Sequence, residues 1–155
     1  MNNKLRLELK RMMKSDQSMI RSGKWSPSAT KRNTARLKEI IEEHGWPSSQ
    51  LVGVNGESAA WLLVQHSDYD VKFQEKCLKL LKSLQKTKNR KKLIAYLTDR
   101  VLVNRKRKQI YGTQFRKGKP RPIKDEKNLE KRRKQMGLGP FEDYKKRMER
   151  YAKQD

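Results

Sequence analysis

The sequence predicts a mainly α-helical protein, a compact single-domain helical bundle with one short β-hairpin in its C-terminal half. Apolar residues recur at spacings of three and four in successive segments, which is the period of an amphipathic helix. Breaks containing Gly or Pro separate these segments. The chain has 155 residues, of which 34% are hydrophobic, enough for one modest core. We therefore expect one domain over residues 1–155, with a core over 3–123 and basic surface helices over 124–155.

The first helix is expected over residues 3–21, where one face is apolar and the other carries Lys and Arg. The apolar positions are Leu5, Leu9, Met12, Met13, Met19 and Ile20. Asp16 follows Leu9 by seven residues and Met12 by four, so it lies on the same face. A carboxylate that points at a core needs a partner.

The second helix should begin at Pro27, with Ser26 as its N-cap, and end near His44. Its apolar face is Leu37, Ile40 and Ile41. His44 extends that face and is expected to point inward. Gly45 then suits the left-handed position after a helix end, and Pro47 prevents continuation.

A loop is expected over residues 48–57, with a turn at Asn55-Gly56, followed by a short central helix from Ser58 to about His66. His66 shares the core-facing side of that helix, and Gln65 lies on the neighbouring side with Trp61. Two successive helices are thus predicted to end in a core-facing histidine.

Two further helices follow. Asp68 or Asp70 can cap the first, whose apolar stripe consists of Phe73, Cys77, Leu80, Leu81 and Leu84. The second is expected over 91–104, with Leu93, Leu97 and Val101 buried. Asp99 and Arg100 are charged residues that lie beside this buried stripe.

The C-terminal part begins with a predicted hairpin, with strands over 109–115 and 120–123 and a Gly-containing turn over 116–119. Prolines place the second strand at an edge. Surface helices are expected over 125–136 and 141–152. A narrow apolar stripe should dock the last of them, formed by Phe141, Tyr144, Met148 and Tyr151.

The charge balance is extreme, with 40 Lys and Arg against 17 Asp and Glu and a formal net charge of +23. Such a charge acts on partners and solubility rather than on fold. No apolar run approaches the roughly 18 residues of a membrane span, and the N-terminus lacks the apolar core of a secretory signal. We expect a cytoplasmic protein with no membrane partner. The lone Cys77 excludes an intrachain disulfide and is expected to fill the core.

A series of short motifs runs along most of the chain: Asp16-Gln17, Asn33 with Arg36-Leu37, His44-Gly45-Trp46-Pro47, Leu51-Val52-Gly53, Ala60-Trp61-Leu62 with Val64-Gln65-His66, Tyr96-Leu97-Thr98-Asp99-Arg100, Gln109 with Tyr111-Gly112-Thr113-Gln114-Phe115, and Pro122-Ile123. Together, over about residues 5 to 150, they resemble a largely bacterial family of unknown function, numbered 6624. The resemblance implies a mainly helical single domain and brings no established reaction, cofactor or substrate. This chain departs from the family in its basicity, as in Arg-Lys-Arg-Lys over 105–108.

Polar residues on or beside core-facing stripes are the candidates for a catalytic pocket. Two imidazoles with a carboxylate can supply a general base, a general acid and an orienting group, and a guanidinium can bind a phosphate or carboxylate. The predicted catalytic residues are His44, His66, Asp16 and Asp99. The predicted substrate-binding residues are Arg100, Gln65, Tyr111, Gln114 and Trp46.

Each of these residues also has a structural interpretation. An inward histidine commonly satisfies a core hydrogen bond, Asp99 and Arg100 can bridge helices, and tryptophans commonly fill cores. Asp16 with the two histidines could bind a divalent metal, but no compact metal-ligand spacing is present, so a metal is not favoured. No phosphate loop, dinucleotide fingerprint or nucleophile elbow is present. The sequence names no cofactor and no oligomeric state.

The competing interpretation is nucleic-acid binding. Residues 86–124 contain 15 Lys and Arg and one acid, Asp99, and clustered cations bind phosphate backbones. Tyr111 and Phe115 could stack on bases. The cations expected to contact a backbone are Arg105, Lys106, Arg107, Lys108, Arg116, Lys117, Lys119 and Arg121.

The prediction that follows is a histidine-dependent hydrolase or transferase acting on an anionic substrate, nucleotide-containing compounds included. The alternative is a non-catalytic basic accessory protein that binds RNA or DNA. Lysines that only solvate outer helix faces, or a basic proteome, would also account for the charge.

Overall fold

Seven α-helices and one two-stranded hairpin form the regular structure of the described residues in the computed structural model. The structure describes residues 1–24 and 26–153. The chain is 70% helical, which confirms the mainly α class. Its contacts divide it into two units, Met1–Leu80 and Leu81–Asp155, each described by itself below. The predicted single domain over 1–155 stays a prediction, and its last two residues, like Trp25, lie outside the described residues.

The first unit opens with α1, Asn3–Arg21, as predicted. Asn2 caps it, because its side-chain oxygen accepts a hydrogen bond from the backbone N–H of Leu5 at 3.0 Å. Leu5, Leu9 and Asp16 are buried. Ile20, expected on the apolar face, is 43% exposed, since it lies in the last turn of the helix.

Helix α2, Pro27–His44, also has the predicted bounds. The Ser26 hydroxyl accepts a hydrogen bond from Ala29 N–H at 3.4 Å, and Pro27 occupies the first turn, where a missing N–H costs nothing. Gly45 ends the helix at φ 69° and donates its N–H to Ile41 O at 2.9 Å.

The loop predicted over 48–57 is wrong, because helix α3, Ser49–Gln65, already begins at Ser49. The helix is kinked at Gly53, whose φ of 73° and ψ of 165° lie outside the helical region, and Asn55-Gly56 is helical rather than a turn. Packing overrides the local turn preference here, because α3 packs on α1 and this segment buries Val52, Gly56 and Glu57. A Cβ at buried Gly56 would lie 2.7 Å from Val52 Cβ, so the missing side chain lets the helix close after its kink.

Helix α4, Val71–Ser83, begins in this first unit. Of the two predicted caps, Asp70 is the one used, since its Oδ1 accepts a hydrogen bond from Phe73 N–H at 3.0 Å. Buried Gln74 donates from Nε2 to Val64 O at 3.0 Å and satisfies a carbonyl at the end of α3. Phe73 and Cys77 are buried, as predicted.

The second unit is built on α5, Lys88–Asn104, which Thr87 caps through Arg90 N–H. Strands β1, Phe115–Arg116, and β2, Lys119–Pro120, pair antiparallel around a turn in which Lys117 and Gly118 have φ of 49° and 73°. These strands are shorter than the hairpin predicted over 109–123. Residues 109–114 instead form a loop that side chains hold in place.

The unit ends in a 3₁₀ turn, Glu126–Asn128, and two helices, α6, Leu129–Gln135, and α7, Phe141–Ala152. The first predicted surface helix is therefore a 3₁₀ turn followed by a seven-residue helix. Phe141 and Tyr144 are half-buried and contact aromatic neighbours, whereas Tyr151, predicted on the same stripe, is 56% exposed. No helix among the residues that the structure describes has the length and apolarity to cross a membrane.

Candidate functional site

An aspartate and a histidine predicted to be catalytic are hydrogen-bonded in the first unit. Helix α1 places the Asp16 carboxylate in the core, with 2% of its side chain exposed. The C-cap residue of α3 is His66, whose Nδ1 is hydrogen-bonded to Asp16 Oδ2. The His66 side chain keeps 20% of its surface exposed. The pair thus has a buried carboxylate on the inside and an accessible imidazole on the outside.

The carboxylate fixes which nitrogen of the neutral imidazole carries the proton. Asp16 can only accept, so Nδ1–H donates to it and Nε2 keeps its lone pair. Within the described residues, His66 Nε2 forms no hydrogen bond. An imidazole held in this way can take a proton from a substrate at Nε2 and return it.

Gln65 and Trp46, predicted to bind substrate, are buried in the same unit. Gln65 is 6% exposed, and its Nε2 has no hydrogen-bond partner among the described residues. Trp46 is 5% exposed and donates its indole N–H to Glu57 Oε1 at 3.1 Å. Glu57 also accepts from Ser49 N–H at 3.1 Å, which ties Trp46 to the start of α3. The indole N–H therefore has a structural partner.

The predicted inward orientation of His44 is wrong. His44 is an exposed residue with 28% of its side-chain surface accessible, and its Nε2 lies 3.3 Å from Oε1 of the exposed Glu43. The helical phase places it on the face of Ile40 and Ile41, but residues 42–45 at the end of α2 are all exposed, so the last turn extends beyond the core. Its catalytic role stays a prediction.

Asp99 in the second unit is a fully buried carboxylate that holds the loop after α5. Its Oδ1 accepts from the backbone N–H of Ile110 at 2.8 Å and of Tyr111 at 3.0 Å. Its Oδ2 accepts from Thr113 N–H at 3.0 Å and from the Thr113 hydroxyl at 2.9 Å. Burial raises the pKa of Asp99, and these hydrogen bonds oppose the rise. The arrangement makes Asp99 a positioning residue for residues 110–113.

Arg100, Gln114 and Tyr111 lie around this loop. Arg100 donates from Nη1 to Gln114 Oε1 at 3.1 Å, and Gln114 Nε2 donates to the Thr113 hydroxyl at 3.1 Å. Burial, followed by the charge of Asp99, raises the pKa of the half-buried Tyr111 phenol. The structure therefore joins Asp99, Arg100 and Gln114 through Thr113. The convergence of all the predicted site residues in one cleft stays a prediction.

Three residues that hold the same loop were not predicted from the sequence. Gln109 is fully buried and bonds to residue 114 through both ends of its amide, accepting from Gln114 N–H at 2.8 Å and donating to Gln114 O at 2.9 Å. Arg132 donates from Nε to Ile110 O at 2.7 Å, and Arg133 donates from Nη1 to Tyr111 O at 2.7 Å. Gln109 lies within a recognised motif, but no sequence signal separates these two arginines from neighbouring surface cations.

The cations predicted to bind nucleic acid are mainly exposed. Residues 105–108 follow the end of α5, and all four are exposed. Arg116, Lys117 and Lys119 are exposed on the hairpin, whereas Arg121 is half-buried. The unit Leu81–Asp155 contains 26 Lys and Arg against eight Asp and Glu, so +18 of the total charge of +23 lies in it.

The placement of the acidic, histidine and cysteine side chains also bears on metal binding. Across residues 1–24 and 26–153, no group of three or more His, Cys, Asp or Glu side chains is arranged to hold a metal ion. Asp16 and His66 form a pair, not a coordination sphere.

Comparison with known proteins identifies a family. The model of the family of unknown function DUF6624 matches residues 26–153, which confirms the resemblance expected from the motifs. The match includes His44, His66, Asp99 and Gln114, whereas Asp16 lies upstream of it. No curated protein and no solved structure is significantly similar to the chain.

Proposed function

The chain belongs to this family, whose description names no reaction, and we propose from its geometry that it is a histidine-dependent hydrolase or transferase. In this proposal His66 is the general acid or base, and Asp16 positions it. The observation that carries the proposal is the hydrogen bond between His66 Nδ1 and the buried carboxylate of Asp16.

A purely structural pair and a catalytic pair make different demands on the imidazole. A structural role requires only that the buried Asp16 carboxylate has a hydrogen-bond partner. A partner that is itself fully buried would meet that requirement. Here the imidazole is 20% exposed and its Nε2 has no partner among the described residues. A carboxylate, an oriented imidazole and an accessible Nε2 are the parts that proton transfer requires.

We propose an anionic substrate, with nucleotide-containing compounds as the first class to test. The net charge of +23 raises the local concentration of anions around the protein.

The test is a hydrolysis and transfer screen over phosphate esters, nucleotides and carboxylic esters with the full chain. His66→Ala should lower the rate about 10²- to 10⁴-fold, as expected when a general acid or base is removed. Asp16→Asn should lower kcat because its amide no longer enforces the Nδ1–H tautomer. Glu42→Gln, the same type of change at an exposed residue of α2, is the control and should leave the rate unchanged.

Thermal unfolding of each variant separates chemistry from folding. A rate loss in His66→Ala with an unchanged Tm supports the proposal. Unfolding of both variants, or full activity of folded His66→Ala, contradicts it. His44→Ala is a further arm, because loss of activity there extends the site to both histidines, whereas retained activity confines the chemistry to His66.

The uneven charge supports a second candidate function, the binding of RNA or DNA by the unit Leu81–Asp155. That unit has a net charge of +18, and its predicted backbone-contacting cations at 105–108 are exposed. Titration against a labelled oligonucleotide at rising salt tests it, and absence of binding even at low salt removes it.

A further inference from the structure

We propose that a cleft within the unit Leu81–Asp155 is a binding site for a phosphate monoester. The cleft has a volume of about 470 Å³, within the range of small-molecule sites. Four cations and one carboxylate line it together with the loop 137–140, and they are Lys92, Arg133, Arg147, Arg150 and Asp143. None of them belongs to the predicted pocket or to the predicted nucleic-acid-binding set, so the proposal goes beyond both functions above.

Arg133 is the central observation, because it is a buried cation without a carboxylate partner. It is 2% exposed, and among the described residues no carboxylate lies within ion-pair distance of it. Its Nε donates to Gly139 O at 2.9 Å and its Nη1 to Tyr111 O at 2.7 Å, whereas Nη2 donates to nothing described. A buried charge without a counter-charge is costly, so an anion in the cleft would stabilise it.

Aromatic rings hold two of the four cations of the cleft in place. The Arg133 guanidinium lies 5.5 Å from the Tyr144 ring centroid, and that of Arg147 lies 5.1 Å from the same ring. Ring contacts restrict the guanidinium groups before a ligand arrives, which lowers the entropy cost of binding. Arg150 is three residues beyond Arg147 on α7, on the same side of the helix, and Lys92 belongs to α5.

The charge of the lining indicates which ligand fits. Four cations against one carboxylate favour an anion, and guanidinium groups pair with phosphate oxygens through two parallel hydrogen bonds. A monoester dianion gains more from this set than a singly charged carboxylate does. The negative charge of Asp143 repels any anion in the cleft. The change in affinity when that charge is removed therefore reports the sign of the ligand's charge.

The experiment is isothermal titration calorimetry of the full chain at about 0.15 M salt, where exposed charges outside the cleft are largely screened, with inorganic phosphate, adenosine monophosphate and adenosine as probes. Phosphate and the monophosphate should bind with saturation, and adenosine should not bind. Arg147→Gln with Arg150→Gln should weaken both by at least about tenfold, the scale of lost charge-assisted hydrogen bonds. Asp143→Asn should tighten both.

The matched control is Lys131→Gln with Lys134→Gln, which removes the same charge from exposed residues of α6 that do not line the cleft. It should change the affinity less than about threefold, because surface charges act through a screened solvent. The proposal is overturned if both double variants weaken binding equally, if Asp143→Asn weakens it, or if phosphate does not saturate.

Arg150→Gln alone is the second variant, since Arg150, unlike Arg147, contacts no ring among the described residues, so its loss leaves the packing of Tyr144 intact. It should weaken phosphate binding with an unchanged Tm, and unchanged binding in this variant counts against the cleft. The readout is affinity rather than turnover. Absence of phosphate binding in the cleft therefore does not contradict the proposed chemistry of His66. Absence of His66-dependent activity likewise does not contradict the phosphate site.

Discussion

Asp16 and Asp99 are both buried carboxylates, but they accept hydrogen bonds from different kinds of donor. Asp16 is bonded to an imidazole that can gain or lose a proton, whereas Asp99 is bonded to three backbone N–H groups and the Thr113 hydroxyl. Fixed backbone donors cannot move protons, so Asp99 acts on the shape of the loop. This contrast separates two residues that the sequence presents as equivalent catalytic candidates.

Asp99→Asn is therefore expected to destabilise the fold. The Asn side chain would turn its NH2 group toward backbone N–H groups that also donate, so hydrogen bonds to a charged, buried acceptor are lost. Their loss should cost about 3 kcal/mol or more. Urea denaturation should show that decrease in the free energy of unfolding. Asp143→Asn is the matched control at an exposed residue of the same unit and should stay within about 0.5 kcal/mol. Equal effects of the two changes would contradict the positioning role.

The helical period predicts which residues are buried, but it does not identify their partners. It places Asp16 in the core correctly, because seven residues are close to two full turns and Leu9 is buried. It cannot identify His66 as the partner, since that hydrogen bond joins residues 50 positions apart. It predicts the burial of His44 wrongly. The helical period gives the direction in which a side chain points around the helix, but it does not say at which residue along the helix the core ends.

At the scale of elements, helices whose ends carry capping residues were predicted best. The bounds of α1 and α2 agree with the sequence. Asn2 caps the start of α1, and Ser26, Pro27 and Gly45 favour the ends of α2 locally. Helix α3 and the 109–114 loop were mispredicted because their conformations depend on distant groups. Packing on α1 keeps Asn55-Gly56 helical. The side chains of Asp99 and Gln109 bind the backbone of residues 110–114, so most of the predicted first strand forms a loop instead.

Asp70 provides a prediction for an element boundary. Its Oδ1 caps α4 through Phe73 N–H, and its Oδ2 accepts from Lys38 Nζ at 2.6 Å. Asp70→Ala should lower the free energy of unfolding by about 1 kcal/mol, the usual value of an N-cap. Lys38→Ala, which removes the half-exposed ion pair and the contact of the ammonium with the Phe73 ring but keeps the cap, should cost less, about 0.5 kcal/mol. Equal losses in urea denaturation would place the stabilisation in the ion pair rather than the cap.

The same residue gives a pH dependence with a defined sign. The hydrogen bond from Lys38 holds the pKa of Asp70 below its ordinary value of 3.8. The folded state therefore favours the ionised carboxylate, and the stabilisation is present above that ordinary value and is lost as the pH falls through the lowered pKa. The difference in unfolding free energy between the wild type and Asp70→Ala should be constant near neutral pH and shrink in acid.

At the scale of the whole molecule, charge is the property most unevenly distributed along the chain. Met1–Leu80 carries 14 Lys and Arg against nine acids, a net of +5, compared with +18 for Leu81–Asp155. The sequence does not mark this boundary, because it falls inside the continuous helix α4. If the excess charge binds nucleic acid, affinity should depend on where cations are removed and not only on how many.

That dependence is measurable from the salt sensitivity of oligonucleotide binding. Lys106, Arg107 and Lys108 are exposed in the basic unit, and Lys72, Lys76 and Lys79 are exposed on α4 in the other. Neutralising the first three to Gln should reduce the slope of log K against log salt by about 0.7 for each single-strand phosphate that is no longer neutralised, about 2 if all three cations bind. Neutralising the second three changes the net charge equally and should leave that slope nearly unchanged. Because net charge is matched, equal effects would mean that the chain attracts nucleic acid only through its overall charge and has no binding surface at 106–108.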